Sequence, residues 1–136
     1  MKLPTLLAAA IITIISTSIF AESEWVNIAA SSDYNTEWDA LAGSLEFSKT
    51  KGGTPIALLV GRVTTKNTSK IELYKWYVSS ADCKRKMGKI VSLGIDGDFK
   101  FENDFVFGSG NIATSMAESV CGAAEYNLRE TNNKGL

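Results

Sequence analysis

The fold class follows mainly from residues 55–81, PIALLVGRVTTKNTSKIELYKWYVSSA. Their first part is a continuous run of apolar and branched residues, which predicts a strand over residues 55–65 that is buried on both faces near its start and turns polar around Arg62. The polar residues 67–69, Asn-Thr-Ser, then give a turn signal. Over residues 70–81, apolar side chains occur on both alternating faces, which indicates a central strand. The segment therefore predicts two long antiparallel neighbours in the middle of a sheet.

The segments before this hairpin also favour strands. Residues 24–29, EWVNIA, are a short apolar run, and residues 34–41 alternate with a period of two. Residues 42–53 contain three glycines and two lysines, which is typical of a connector. We expect one helical turn in this connector, around Leu45 and Phe47.

Two further strand signals follow the hairpin. Residues 89–95 place Val91, Leu93 and Ile95 at period two. The Asp-Gly pair at residues 96–97 is a strong hairpin signal, and phenylalanines recur through residues 99–107. We therefore expect a final hairpin at this position.

After residue 110 the periodicity becomes helical. Ile112, Met116 and Val120 recur every four residues, and Cys121 lies beside this stripe. Gly122 is a stop signal, so the pattern predicts an amphipathic helix of about three turns. Residues 126–136 are mostly polar and predict a flexible tail.

The first 21 residues, MKLPTLLAAAIITIISTSIFA, have the pattern of a secretory signal peptide cleaved after Ala21. The alternative is an uncleaved membrane anchor. The signal peptide is favoured because Thr13 and residues 16–18 interrupt an apolar stretch shorter than the roughly 20 residues of a membrane span. We expect a periplasmic or secreted mature chain without a membrane span, in which residues 22–125 form one domain. No cysteine near the cleavage point could accept a lipid, which leaves surface display open.

The chain has two cysteines, Cys83 and Cys121. Because the signal peptide directs them to an oxidising compartment, we expect a single disulfide between them. A reactive or metal-bound thiol pair is the alternative. It is disfavoured because the chain has no histidine and no C-x-x-C spacing.

Composition narrows the function further. The 136 residues include no histidine, which excludes Ser-His-Asp and Cys-His catalysis. With 14 Lys and Arg against 15 Asp and Glu, the chain lacks the positive charge expected of a nucleic-acid binder. We read the S-x-x-K match at residues 48–51 as a solvated loop, and the acidic residues 96–104 as a hairpin tip. We therefore predict no enzyme activity, no catalytic residue, no metal site and no cofactor.

The one local concentration of charge is the run Lys84, Arg85 and Lys86, with Lys89 beyond it. Such a run is a candidate contact surface for a protein partner or a polyanion. The alternative is a solvated turn after Cys83. We retain these four residues as the candidate partner contact.

Together these patterns predict an α+β fold. It consists of an antiparallel sheet of five to six strands with one C-terminal helix packed on it, stapled by the disulfide between Cys83 and Cys121.

Several of these features together resemble the surface-adhesin protein E family of proteobacteria, over most of residues 24–122. The resemblance is carried by Trp25-Val26-x-Ile28, a strand over residues 34–39, the pair Asp82-Cys83, and the helix end Ala117-Glu118-Ser119-Val120-Cys121 after Gly108-Ser109. It implies an antiparallel sheet, a helix joined to it by a disulfide, and binding to host extracellular-matrix or serum proteins. The best-known family member is a lipoprotein, and this chain lacks the lipid-accepting cysteine.

We therefore expect an exported, non-enzymatic protein-binding domain that resembles a surface adhesin. The alternative is a periplasmic inhibitor or immunity protein that blocks a cell-wall hydrolase or toxin by inserting the acidic loop at residues 96–104. The sequence leaves the oligomeric state open.

Overall fold

The structure is a computed structural model that describes residues 24–134, with side chains described as far as residue 131. The predicted signal peptide, residues 1–21, lies outside the described residues. Within residues 24–134, none of the helices is long and apolar enough to cross a membrane.

The described residues form a seven-stranded antiparallel sheet. Its strands are β1 (Trp25–Ala30), β2 (Thr36–Leu41), β3 (Glu46–Lys49), β4 (Pro55–Thr65), β5 (Lys70–Ser79), β6 (Met87–Gly94) and β7 (Phe99–Val106). The spatial order is β1-β2-β4-β5-β6-β7. Strand β3 lies on the same edge of β4 as β2: β3 pairs with the first half of β4, and β2 pairs with the second half. The α+β class is confirmed, with one strand more than the predicted maximum of six.

The central hairpin is confirmed. Strands β4 and β5 pair along their whole length, from Ile56 opposite Ser79 to Thr65 opposite Lys70. A single 3-10 turn, Lys66–Thr68, joins them. This is the longest pairing between any two strands of the sheet.

Two helices complete the fold, α1 (Ser80–Arg85) and α2 (Ile112–Lys134). Helix α2 packs on one face of the sheet through a stripe at i, i+4 and i+8. The buried core consists of Ala40, Ala57, Leu59, Trp76, Val78, Ile90, Phe105, Met116, Ala117, Val120, Cys121 and Ala124. The predicted C-terminal helix on an antiparallel sheet is therefore present.

Helix α2 is longer than predicted. It has 23 residues and continues through Gly122, so residues 126–134 are helical rather than an irregular tail. A helical glycine costs only about 1 kcal/mol relative to alanine, which packing can offset. Ala124 supplies that packing, because it continues the buried stripe beyond Gly122.

One connector prediction was wrong. The expected helical turn around Leu45 and Phe47 is instead β3, in which Phe47 lies opposite Ala57. The segment after β5 forms the six-residue helix α1, which the sequence patterns did not predict. Ser79 caps α1, since its hydroxyl accepts a hydrogen bond from the backbone N–H of Asp82 at 3.1 Å.

The predicted disulfide is formed. Cys83 of α1 and Cys121 of α2 are bonded, with their Cα atoms 5.5 Å apart and a sequence separation of 38. The bond fixes the short helix to the middle of the long one. A formed disulfide is consistent with an oxidising, exported compartment.

Candidate functional site

The candidate site is a groove of about 390 Å³ beside the disulfide, between β3, α1 and α2. We call it the disulfide groove. Its apolar lining consists of Phe47, Ala57, Cys83, Phe107, Cys121, Ala124 and Leu128. The residues come from distant parts of the chain, so only the folded domain brings them together.

Secondary structure explains how these side chains meet. Strand β3 pairs with β4 so that Phe47 lies opposite Ala57. On α2, the positions 121, 124 and 128 are three and four residues apart and therefore share one helix face. The disulfide holds Cys83 of α1 against that face.

The groove has a buried floor and an exposed lip. Cys121 and Ala124 on the floor are 7% and 8% exposed. Phe47 and Leu128 on the lip are 46% and 54% exposed. Large apolar side chains that stay exposed at the mouth of a groove provide area that a partner can bury.

One rim of the groove is basic. Lys84 lies in the last turn of α1, and Lys86 is the left-handed residue that caps it, with φ of 62°. The carbonyl of Lys86 accepts a hydrogen bond from the N–H of Phe107 at 2.9 Å, which fixes this rim to the end of β7. Both lysine side chains are exposed, and neither has an acidic partner among the described side chains.

Acidic side chains also line the groove. Glu118 and Glu125 lie two turns apart on the same face of α2, and both line the groove. Glu118 accepts a long hydrogen bond from the N–H of Gly108 at 3.4 Å. Neither glutamate has a basic partner in the described part of the chain. The groove therefore combines an apolar floor with side chains of both charges.

The structure divides the four basic residues predicted as a partner contact. Lys84 and Lys86 line the disulfide groove. Arg85 forms an ion pair with Asp82, three residues before it in the same helix. Its charge is therefore locally compensated, and Arg85 is not part of the groove lining.

Lys89 also lies apart from the groove. Its Nζ lies 2.6 Å from Asp104 and 3.9 Å from Glu102, both on the neighbouring strand β7. The hydrogen bond to Asp104, reinforced by its charge, raises the pKa of Lys89. Lys89 is a compensated side chain on the sheet, while Lys84 and Lys86 are the basic residues that the groove presents.

The other sequence motifs have no catalytic geometry. Ser48 is exposed on β3, and Lys51 is exposed in the following turn. At the predicted hairpin tip, Asp96 accepts a hydrogen bond from the N–H of Asp98 at 3.1 Å, and this bond is the main cause of its lowered pKa. Among residues 24–134, no group of three or more Cys, Asp and Glu side chains is placed to hold a metal ion.

The acidic side chains and the apolar lip of the groove were not predicted from the sequence. Glu118, Glu125 and Leu128 share one face only if the helix continues beyond Gly122, where the glycine signalled an end. Phe47 points to the groove only as part of β3. Once the helix is known to continue, the spacing of residues 118, 125 and 128 indicates that they share one helix face.

Comparisons of the chain with protein-family models, with curated proteins and with solved structures find no match.

Proposed function

We propose that the mature chain is an exported, non-enzymatic protein-binding domain, periplasmic or secreted, that holds a partner segment in the disulfide groove. The observation that carries this proposal is an apolar groove lined by both basic and acidic side chains. Apolar anchors in a pocket with a charged surround are typical of protein-binding sites. The groove lining contains no nucleophile paired with a base, so binding is the activity that its chemistry supports.

The charges specify the partner segment. We expect an aromatic or large aliphatic side chain to occupy the floor beside Phe47 and Leu128, where full burial stabilises the complex by about 1.5–3 kcal/mol. An acidic residue of the partner would face Lys84 and Lys86. A basic residue of the partner would face Glu118 and Glu125. Charge complementarity of this kind favours a segment that carries both signs of charge.

The resemblance to surface adhesins suggests the class of partner. The antiparallel sheet, the C-terminal helix and the disulfide are the features that the resemblance implies, and all three are present. We therefore propose a host extracellular-matrix or serum protein as the partner.

A binding experiment tests the groove. Host matrix and serum proteins are immobilised, and capture of the oxidised protein is compared with that of the double variant Lys84→Ser/Lys86→Gly. Glycine suits residue 86 because of its positive φ, so the fold should be retained. We expect capture to fall on the order of tenfold at low salt and less at high salt.

The matched control is Lys66→Ser/Lys70→Ser, which removes the same charge at the opposite end of the β4–β5 hairpin. It should leave capture unchanged. Equal loss in both double variants would indicate a general charge effect, and unchanged capture in the groove variant would exclude this site.

The hairpin tip favours a second candidate function, inhibition of a cell-wall hydrolase or toxin. Asp96, Gly97 and Asp98 are exposed in the turn between β6 and β7, and Phe99 beside them is 60% exposed. A protruding acidic turn with an aromatic residue could enter a basic active-site cleft.

This second proposal predicts that the protein lowers the activity of the producing bacterium's hydrolases on purified peptidoglycan. The variant Asp98→Asn/Phe99→Ala should abolish that inhibition, while Lys84→Ser/Lys86→Gly should not.

A further inference from the structure

A second cavity, of about 310 Å³, lies between the first turns of α2 and the sheet. We call it the aromatic cavity. Its lining is dominated by four aromatic side chains and two small polar ones: Trp38, Tyr74, Trp76, Phe101, Ser92 and Asn103. It shares no lining residue with the disulfide groove.

The floor of the aromatic cavity is deeply buried. Trp76 and Ser92 are each 1% exposed, and they lie opposite each other on β5 and β6. The ring of Trp76 packs onto Gly61 of β4, where a Cβ atom would overlap it. The indole is thereby held against the backbone of β4.

The aromatic cavity stays unfilled because two of its lining side chains are small. Ser92 on β6 and Ala113 on α2 are the smallest residues in the lining, and most of the others are aromatic or large aliphatic side chains. Interiors are normally packed with few voids larger than a water molecule. A space of this size among large rings is typical of a ligand site, since such sites begin at about 300 Å³.

The polar groups restrict the ligand's chemistry. Ser92 lines the cavity, and its hydroxyl oxygen can accept a hydrogen bond from a molecule bound there. Residues with a formal charge are absent from the described lining. The hydroxyl of Tyr74 donates to Glu72 at 3.2 Å, and burial and then the charge of Glu72 raise the pKa of Tyr74. The walls are therefore neutral at physiological pH.

The volume restricts the ligand's size. A dry cavity of about 150 Å³ is enough to hold benzene in an engineered protein core. The aromatic cavity has about twice that volume, at about 310 Å³. A fused two-ring molecule therefore fits better than a single ring. Aromatic ligands also gain from edge-to-face contacts of the kind that Tyr74 and Phe101 already make with each other, at 5.9 Å.

We propose that the aromatic cavity binds a small, neutral, two-ring aromatic molecule with one N–H or O–H group that donates to the hydroxyl of Ser92. This function is separate from partner binding in the disulfide groove. Either proposal can therefore fail without the other.

Indole is the probe, and its binding is followed through the backbone amide signals of the isotope-labelled oxidised protein. We expect saturable shifts at Ser92, Phe101 and Ala113. The variant Ala113→Leu should fill the cavity and weaken indole binding at least tenfold. The matched control is Ala123→Leu, which enlarges another half-buried alanine of α2 outside this cavity and should bind indole normally.

A second comparison tests the hydrogen bond. 1-Methylindole lacks the N–H group and should bind the wild type about three- to tenfold more weakly than indole. Ser92→Ala should abolish this difference. If Ala113→Leu fails to fold, Phe101→Leu at the half-exposed lip provides the second test of the cavity and should weaken binding. Absence of saturable shifts, shifts confined to the disulfide groove, or equal binding of indole by the wild type and folded cavity variants would overturn the proposal.

Discussion

The carboxylate of Asp82 lies directly against the backbone of Gly88, at the position that a Cβ atom of residue 88 would occupy. From there it accepts a hydrogen bond from the N–H of Lys89 at 3.2 Å and pairs with Arg85. Asp82 thus ties α1 to β6, and the next residue, Cys83, ties α1 to α2. The helix that carries the basic rim is fixed from both sides, which gives the Asp-Cys pair a physical role.

The first prediction concerns Gly88, whose φ is +150°. Gly88→Ala should lower the free energy of unfolding by about 2 kcal/mol or more, because alanine is strained at this φ and its Cβ displaces Asp82. Urea unfolding measures the change. Gly52→Ala is the control, since the nearest atom to its new Cβ is Thr50 Oγ1 at 3.9 Å. Equal stability of the two variants would contradict the role of Gly88.

The second prediction concerns Gly122, which is exposed within α2 and has nothing within 4 Å of an added Cβ. Gly122→Ala should raise the free energy of unfolding by about 0.5–1 kcal/mol, because alanine favours a helix interior. If the helix instead ended at residue 122 with a left-handed glycine, alanine would destabilise the protein. Thermal unfolding monitored by circular dichroism distinguishes the two results.

The third prediction concerns the disulfide. Replacing both Cys83 and Cys121 by alanine should lower the free energy of unfolding by about 4 kcal/mol, the chain-entropy estimate for a loop of this length. The wild type in reductant should show a similar loss, and reductant should not change the double variant. A double variant as stable as the oxidised wild type would contradict a structural role for the bond.

The fourth prediction concerns acid. Ser31 Oγ and the N–H of Asn35 both donate to Asp33 Oδ1, at 2.7 and 3.0 Å, and in this order they lower the pKa of Asp33. Because the folded pKa lies below the unfolded one, the stabilisation is complete above the ordinary value of 3.8 and is lost as the pH falls through the folded pKa. The unfolding free energy of Asp33→Asn should therefore fall less on acidification than that of the wild type. Parallel pH profiles would contradict this assignment.

Strong local patterns were enough to predict much of the fold. The apolar run of β4, the alternation of β5 and the Asp96-Gly97 turn each depend on neighbouring residues, and each was confirmed. Strand β3 could not be predicted in this way, because all four of its residues are exposed and it exists only through pairing with β4. The end of α2 was missed because the packing of Ala124 outweighs the glycine at 122.

The candidate site was only partly predictable. The sequence identified Lys84 and Lys86 by their charge, but it could not separate them from Arg85 and Lys89. That separation depends on side chains that folding brings near, such as Asp104 on the strand beside Lys89. The apolar floor forms where β3, α1 and α2 meet in the folded domain. Because these elements are far apart in sequence, no local sequence pattern predicts it.

Partner binding in the disulfide groove is tested most directly by mapping a captured partner on the isotope-labelled oxidised protein through amide chemical shifts. We expect saturable shifts centred on residues that line the groove: Phe47, Lys84, Lys86, Glu118 and Leu128. Shifts that avoid this groove and centre on the hairpin tip at residues 96–99, or on the sheet face away from α2, would contradict it.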